Sequence, residues 1–176
     1  NVYDDQKRVV VSQKDARQGP TQYIYDEINK KTTVIDQMNY KTIHYYDDLL
    51  RLIQETDDKG NSIYYTYDPA GNRTEVKDKN GNITKYAYDI KGNVTSKTDA
   101  LNIVTSITYS ANNNPLTRTE AVGTILERTT LFEYDTNGNL TKTTNALGNF
   151  ATIAYNANGR PLTITDLRGN PTTNTY

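Results

Sequence analysis

Apolar and polar residues alternate in short bursts along this chain, and a turn signal interrupts the alternation every ten or eleven positions. Thr84, Tyr86 and Tyr88 fall on one side of an extended segment, with Lys85 and Ala87 on the other. A period of two marks a β-strand with one packed face and one solvated face. The interruptions have a fixed chemistry. Asp57, Asp68, Asp78 and Asp89 are each followed three residues later by Gly60, Gly71, Gly81 or Gly92, and then by Asn. Asp opening a type I turn accepts hydrogen bonds from amides within the turn, and Gly at the fourth position takes the left-handed conformation of a G1 bulge. Such a loop reverses one strand into the next, so the pattern predicts successive antiparallel hairpins. No segment reads as a helix: β-branched residues are dense, and the turns come too often.

A longer period contains the shorter one. Tyr3, Tyr25, Tyr46, Tyr67, Tyr88, Tyr109, Tyr134, Tyr155 and Tyr176 are spaced by 22, 21, 21, 21, 21, 25, 21 and 21 residues. Four residues after the tyrosine stands Gly71, Gly92, Gly138 or Gly159 in the best copies, while Gly60, Gly81, Gly148 and Gly169 mark the half-period. Each period therefore predicts two strands and two turns, with strands of about six or seven residues. Eight repeats, starting near Tyr3, Tyr25, Tyr46, Tyr67, Tyr88, Tyr109, Tyr134 and Tyr155, occupy 1–176 with no separate second domain. Two residues before the repeat tyrosines stand Tyr23, His44, Tyr65, Tyr86, Ile107, Phe132, Ile153 and Asn174, an aromatic and branched band expected to face inward. The sixth repeat is four residues longer, and Ala121 to Glu127 is the expected loop extension. In the second repeat Asn29 and Asn39 stand where glycines are expected, and Asn tolerates the left-handed region.

Fold class follows as all-β: an antiparallel sheet of about sixteen strands, which native twist should make curl or spiral. A parallel β-solenoid with one coil per repeat is the competing architecture, and the half-period turns weigh against it. Composition sharpens this. Leu, Ile, Val and Phe supply only 35 of 176 residues, and fifteen tyrosines make up the missing bulk. The net charge of −1 separates the chain from charged disordered sequences and from nucleic-acid binders with their basic excess. No apolar run approaches the roughly 18 residues of a membrane span. Without cysteine there is no disulfide framework or thiolate site.

The pattern Tyr-Asp-x-x-Gly-Asn, then Thr-x-x-Thr-Asp and a Tyr-x-Tyr-Asp restart, resembles the YD repeats of the RHS family. It is clearest from Tyr67, Tyr88, Tyr134 and Tyr155 and extends along essentially the whole chain. The family includes bacterial polymorphic toxins, toxin-complex shell proteins, wall-associated proteins and teneurins. The resemblance implies strands that spiral into a hollow shell, with a toxin domain enclosed in some members. Nothing here matches the self-cleaving core segment of that family, and the chain reads as a repeat-only piece of a longer array.

Candidate chemistry is sparse. His44 is the single histidine and occupies a slot that Tyr65 and Tyr86 fill elsewhere, which makes it a packed substitute rather than a base. A Ser-His-Asp triad finds no support among Ser12, Ser62, Ser96, Ser106 and Ser110. The pairs Asp4-Asp5, Asp47-Asp48 and Asp57-Asp58 suit calcium by type, yet they match no known calcium spacing. The expectation is a structural module without catalytic residues, cofactor or metal: part of an encapsulating shell, secreted or on a bacterial surface. Its partners would be further repeats of the parent shell and an enclosed toxin, with self-association through terminal strands. A cell-surface adhesion or carbohydrate-binding module, with glycans as ligands of the tyrosine band, is the alternative.

Overall fold

The computed structural model describes residues 2–4, 9–14 and 20–175, with side chains from residue 21 onward. Tyr176 and Asp5 lie outside the described residues. The chain divides into two compact units, Asn1–Thr84 and Lys85–Tyr176, built of the same hairpin unit. In the first, β1 (Val2–Asp4), β2 (Val9–Lys14), β3 (Pro20–Asp26), β4 (Lys31–Ile35), β5 (Lys41–Tyr46), β6 (Leu52–Thr56), β7 (Ser62–Tyr67) and β8 (Arg73–Lys77) follow one another. Each pairs antiparallel with the next along the chain.

The second unit opens within β9 (Ile83–Tyr88). It continues through β10 (Val94–Thr98), β11 (Val104–Tyr109), β12 (Pro115–Glu120), β13 (Arg128–Tyr134), β14 (Leu140–Thr144), β15 (Phe150–Tyr155), β16 (Pro161–Thr165) and β17 (Pro171–Thr173). Here too every strand is antiparallel to its successor. Two strands per period and antiparallel pairing are as the turn pattern predicts, and the parallel solenoid is excluded. Pro20, Pro115, Pro161 and Pro171 each stand first in a strand, where a missing amide costs the ladder least. Residues 121–127 fill the loop between β12 and β13, so the longer sixth repeat grows in a connection and leaves the strands intact.

Apart from the turn after Tyr25 and the loop at residues 121–127, the described turns are 3:5 hairpins. At Asp68 the amide donates to the Asn72 carbonyl at 3.0 Å, while Gly71 donates back to the Asp68 carbonyl at 3.0 Å. Gly71 has φ +90°, the G1 position expected of it. The turn after each repeat tyrosine carries something more. Tyr67 lies opposite Arg73, but Thr66 lies opposite Glu75, leaving Thr74 as an extra residue in the ladder. Ile53, Thr95, Leu116, Thr141 and Leu162 are extra in the same way beyond Tyr46, Tyr88, Tyr109, Tyr134 and Tyr155. The half-period turns have no such slip, as the pairs Thr56–Ser62 and Glu55–Ile63 show. Thus in these six periods a second bulge occurs once, on the strand leaving the tyrosine turn. Bulges bend a strand and increase its local twist. The Tyr25 turn is the exception, with Tyr25–Thr32 and Ile24–Thr33 in unbroken register.

Both units are single layers. Among the described residues none is fully buried. The inward face predicted to be filled by tyrosine rings is therefore half-buried, because a lone sheet covers its rings only with neighbours on the same face.

Candidate functional site

The face assignment follows from strand geometry. Tyr25, Tyr46, Tyr67, Tyr88, Tyr109, Tyr134 and Tyr155 are all half-buried, as are the side chains two residues before each. Between them, Ile24, Thr66, Ala87, Thr108, Glu133 and Ala154 are exposed, and only Tyr45 is half-buried. Burial on this face pushes the phenols of Tyr65, Tyr109 and Tyr134 up from their ordinary range.

What the tyrosines do is specific. The Tyr67 hydroxyl donates to the Leu52 carbonyl at 2.7 Å, Tyr109 to Val94 at 2.9 Å and Tyr155 to Leu140 at 2.8 Å. Each acceptor is the residue opposite the preceding repeat tyrosine, next to the extra residue of the second bulge. A bulge disturbs the ladder and turns backbone groups out of it, and a polar group on a packed face needs a partner. The next tyrosine supplies one. At Tyr67, Tyr109 and Tyr155 the aromatic residue that fills the face therefore also ties its repeat to the one before it. At the carbonyl of Pro161, opposite Tyr155, the donor is the side-chain amide of Asn174 at 3.1 Å.

The turns are locked by their first residue. Asp78 Oδ1 accepts the amides of Asn80 and Asn82, both at 2.8 Å, and its Oδ2 accepts the Asn82 side-chain amide at 2.8 Å. Asn72, Asn93, Asn139 and Asn170 bind Asp68, Asp89, Asp135 and Asp166 with both backbone and side-chain nitrogens. These side-chain amides, with backbone N–H donors beside them, hold the five carboxyls below the ordinary aspartate range. Where the carboxylate is absent, Asn145, Asn156 and Ser110 accept the same backbone pair with a neutral oxygen.

Polar contacts also link successive turns. Lys79 reaches Asp57 at 2.8 Å and holds its carboxyl well below the usual range. Lys91 donates to the Ala111 carbonyl at 2.6 Å. Arg51 pairs with Asp47 at 2.7 Å, donates to the Asp68 carbonyl at 3.0 Å and lies 4.9 Å from the centre of the Tyr67 ring. Sequence reasoning missed Arg51, since it stands where most turns have Asn.

The predicted glycines Gly60, Gly71, Gly81, Gly92, Gly138, Gly148, Gly159 and Gly169 all occupy positive φ. Asn39 joins them at φ +66°, as expected. Asn29 does not. In that turn the left-handed residue is Lys30, at φ +47°, while Asn29 donates to both carboxylate oxygens of Asp26. The turn is one residue later in phase, consistent with its missing second bulge. Leu50 takes the glycine place at φ +59° and Asn102 does so at +61°.

Little of this resembles a reaction centre. His44 lies on the tyrosine face with Nε2 3.5 Å from Glu55 Oε2 across the strand pair. Among the described residues no three histidine, aspartate or glutamate side chains gather as a metal would require. Of the paired aspartates, Asp47 and Asp57 bind their own turn amides, while Asp58 accepts the Lys41 N–H and Asp48 pairs with Lys30. A hollow of about 430 Å³ opens between the turns after Tyr25 and Tyr46. Its lysines Lys31 and Lys30 pair with Asp26 and Asp48. No helix among the described residues is long and apolar enough to cross a membrane.

The RHS Repeat family model matches residues 46–83 and 134–171, each a run of nearly two periods. No curated protein matches the chain. Among solved structures, the TcdB2-TccC3-Cdc42 crystal structure is 14% identical with a TM-score of 0.61, over 94% of this chain and 12% of that one. The Photorhabdus luminescens Tc holotoxin pore carrying a TccC3 point mutation is likewise 14% identical, with a TM-score of 0.61, over 92% of this chain and 12% of that one. The chain thus spans about an eighth of these neighbours and shares their fold.

Proposed function

We propose that this run of RHS repeats is a wall segment of an encapsulating β-shell in a secreted or surface-exposed bacterial protein of the toxin-delivery kind. The observation that carries the reading is the tyrosine bond. Each bonded repeat fastens to its predecessor through a hydroxyl and a bulged carbonyl, so one period prescribes the seat of the next. A wall needs that property, whereas a discrete ligand site does not. The single-layer sheet with one half-buried aromatic face fits the same role. Such a face gains cover in a closed shell, from contents or from further repeats.

The test uses the complete parent protein. Electron microscopy should show a hollow particle, and any segment inside should resist protease until the shell is unfolded. A filled or extended rod, with all regions cleaved at one rate, would overturn the reading. The isolated chain should also self-associate through strand edges, and light scattering over a concentration series checks this.

A further inference from the structure

Three Asn-Gly pairs occur in the sequence, Asn80-Gly81, Asn137-Gly138 and Asn158-Gly159. All three asparagines are exposed, at the third position of a 3:5 turn. Such a pair is open to a self-inflicted reaction, because glycine has no Cβ to hinder attack by its own backbone nitrogen. The glycine nitrogen loses its proton to solvent base and bonds to the asparagine Cγ. The Cγ–Nδ2 bond then breaks and ammonia leaves, giving a cyclic imide. Water opens the ring at one of its two carbonyls, leaving aspartate or isoaspartate.

The turn opposes this reaction in every copy. Gly81, Gly138 and Gly159 each donate the reacting N–H to the carbonyl three residues back, at 3.0, 3.1 and 3.0 Å. The asparagine amides are held too, by Asp78, Asp135 and Asn156 at 2.8, 2.9 and 2.9 Å. Attack therefore requires the turn to open first.

We propose that Asn158 is the folded chain's preferred site of spontaneous deamidation, ahead of Asn80 and Asn137. Three differences point the same way. Its turn is closed by the neutral oxygen of Asn156, whereas carboxylates close the other two, and charge-assisted hydrogen bonds are about twice as strong as neutral ones. In the other two turns the second carboxylate oxygen accepts a side-chain bond from Asn82 or Asn139, an oxygen that Asn156 lacks. Finally, a carboxylate within the turn disfavours the anionic glycine nitrogen, and the Asn156 turn has none. An isoaspartate product would lengthen the backbone inside a turn whose hydrogen bonds fix its size.

Peptide mapping by mass spectrometry, after incubation of the folded chain in mildly alkaline buffer, tests this. Asn158 should convert roughly fivefold faster than Asn80 or Asn137, the factor that about 1 kcal/mol of lost charge assistance produces. In urea the three should converge. Asp135→Asn should bring Asn137 up to the Asn158 rate, and Asn156→Asp should slow Asn158. Equal native rates, a slowest Asn158, or an Asp135→Asn chain with an unchanged Asn137 would each overturn the proposal.

Discussion

The Tyr67 hydroxyl and the Leu52 carbonyl, 2.7 Å apart, join two repeats at the place where the strand register slips. Tyr67→Phe keeps the ring and removes this bond, together with a long 3.5 Å contact donated by Arg73 to the same hydroxyl. It should cost about 1 kcal/mol in urea denaturation, the usual net worth of a neutral hydrogen bond. Tyr155→Phe should behave alike. Tyr64→Phe, on the opposite and more exposed face, should stay within about 0.5 kcal/mol. Equal losses at Tyr64 and Tyr67 would remove the hydroxyl from the account of repeat coupling.

Gly81→Val tests the turn backbone alone. Gly81 has φ +86°, and an added Cβ would meet only the flexible end of Lys77 at 4.0 Å. The penalty, at least about 1 kcal/mol, is conformational. The reverse change should help: Leu50→Gly, at φ +59°, should stabilise by roughly 0.5–1 kcal/mol, and Asn102→Gly by less. Thermal melts of the three variants give the ranking, and a stabilising Gly81→Val would contradict it.

Acid should loosen the turns selectively. Asp68, Asp78, Asp89, Asp135 and Asp166 have folded-state values below the ordinary 3.8. Their contribution is present in full above the unfolded-state value and is lost as pH falls through the folded one. Stability should hold from neutrality to about pH 5 and decline below about pH 4. Asp78→Asn should flatten part of that decline, because Asn145 and Asn156 close the same turn without ionising. Carboxyl NMR titration would read each aspartate directly. Ordinary values at these five would refute the turn-locking role.

Tyr86 and Lys85 are neighbours on opposite faces of β9, one half-buried and one exposed. Tyr86→Ala should destabilise by about 1–2 kcal/mol, less than a fully buried aromatic because the sheet is one layer thick. Lys85→Ala should remain within about 0.5 kcal/mol. Comparable losses would invert the face assignment.

The turns and faces were legible in the sequence because both are written in single residues at fixed spacing. Asp-x-x-Gly names a turn type, and alternation names a face. The second bulge was not legible. Its extra residue is Ile53, Thr74, Thr95, Leu116, Thr141 or Leu162, and nothing in that set differs from an ordinary strand residue. The tyrosine period was visible, but its acceptor is a backbone carbonyl, which leaves no mark in side-chain identity. Lys30 and Leu50 were missed for a related reason. Left-handed backbone can be imposed by flanking hydrogen bonds on residues that do not prefer it, as the Asp47 amide and carbonyl do around Leu50.

Each bonded tyrosine reaches back fifteen residues and no farther. A stretch of one 21-residue period can therefore be copied or excised from the gene with the fifteen-residue spacing of a bonded tyrosine kept. Removing Tyr67 to Ala87, for example, would bring Tyr88 to the place of Tyr67, fifteen residues from Leu52. Recombination between copies would then lengthen or shorten the array in steps of one period, and the joints it leaves behind would be indistinguishable from the old ones.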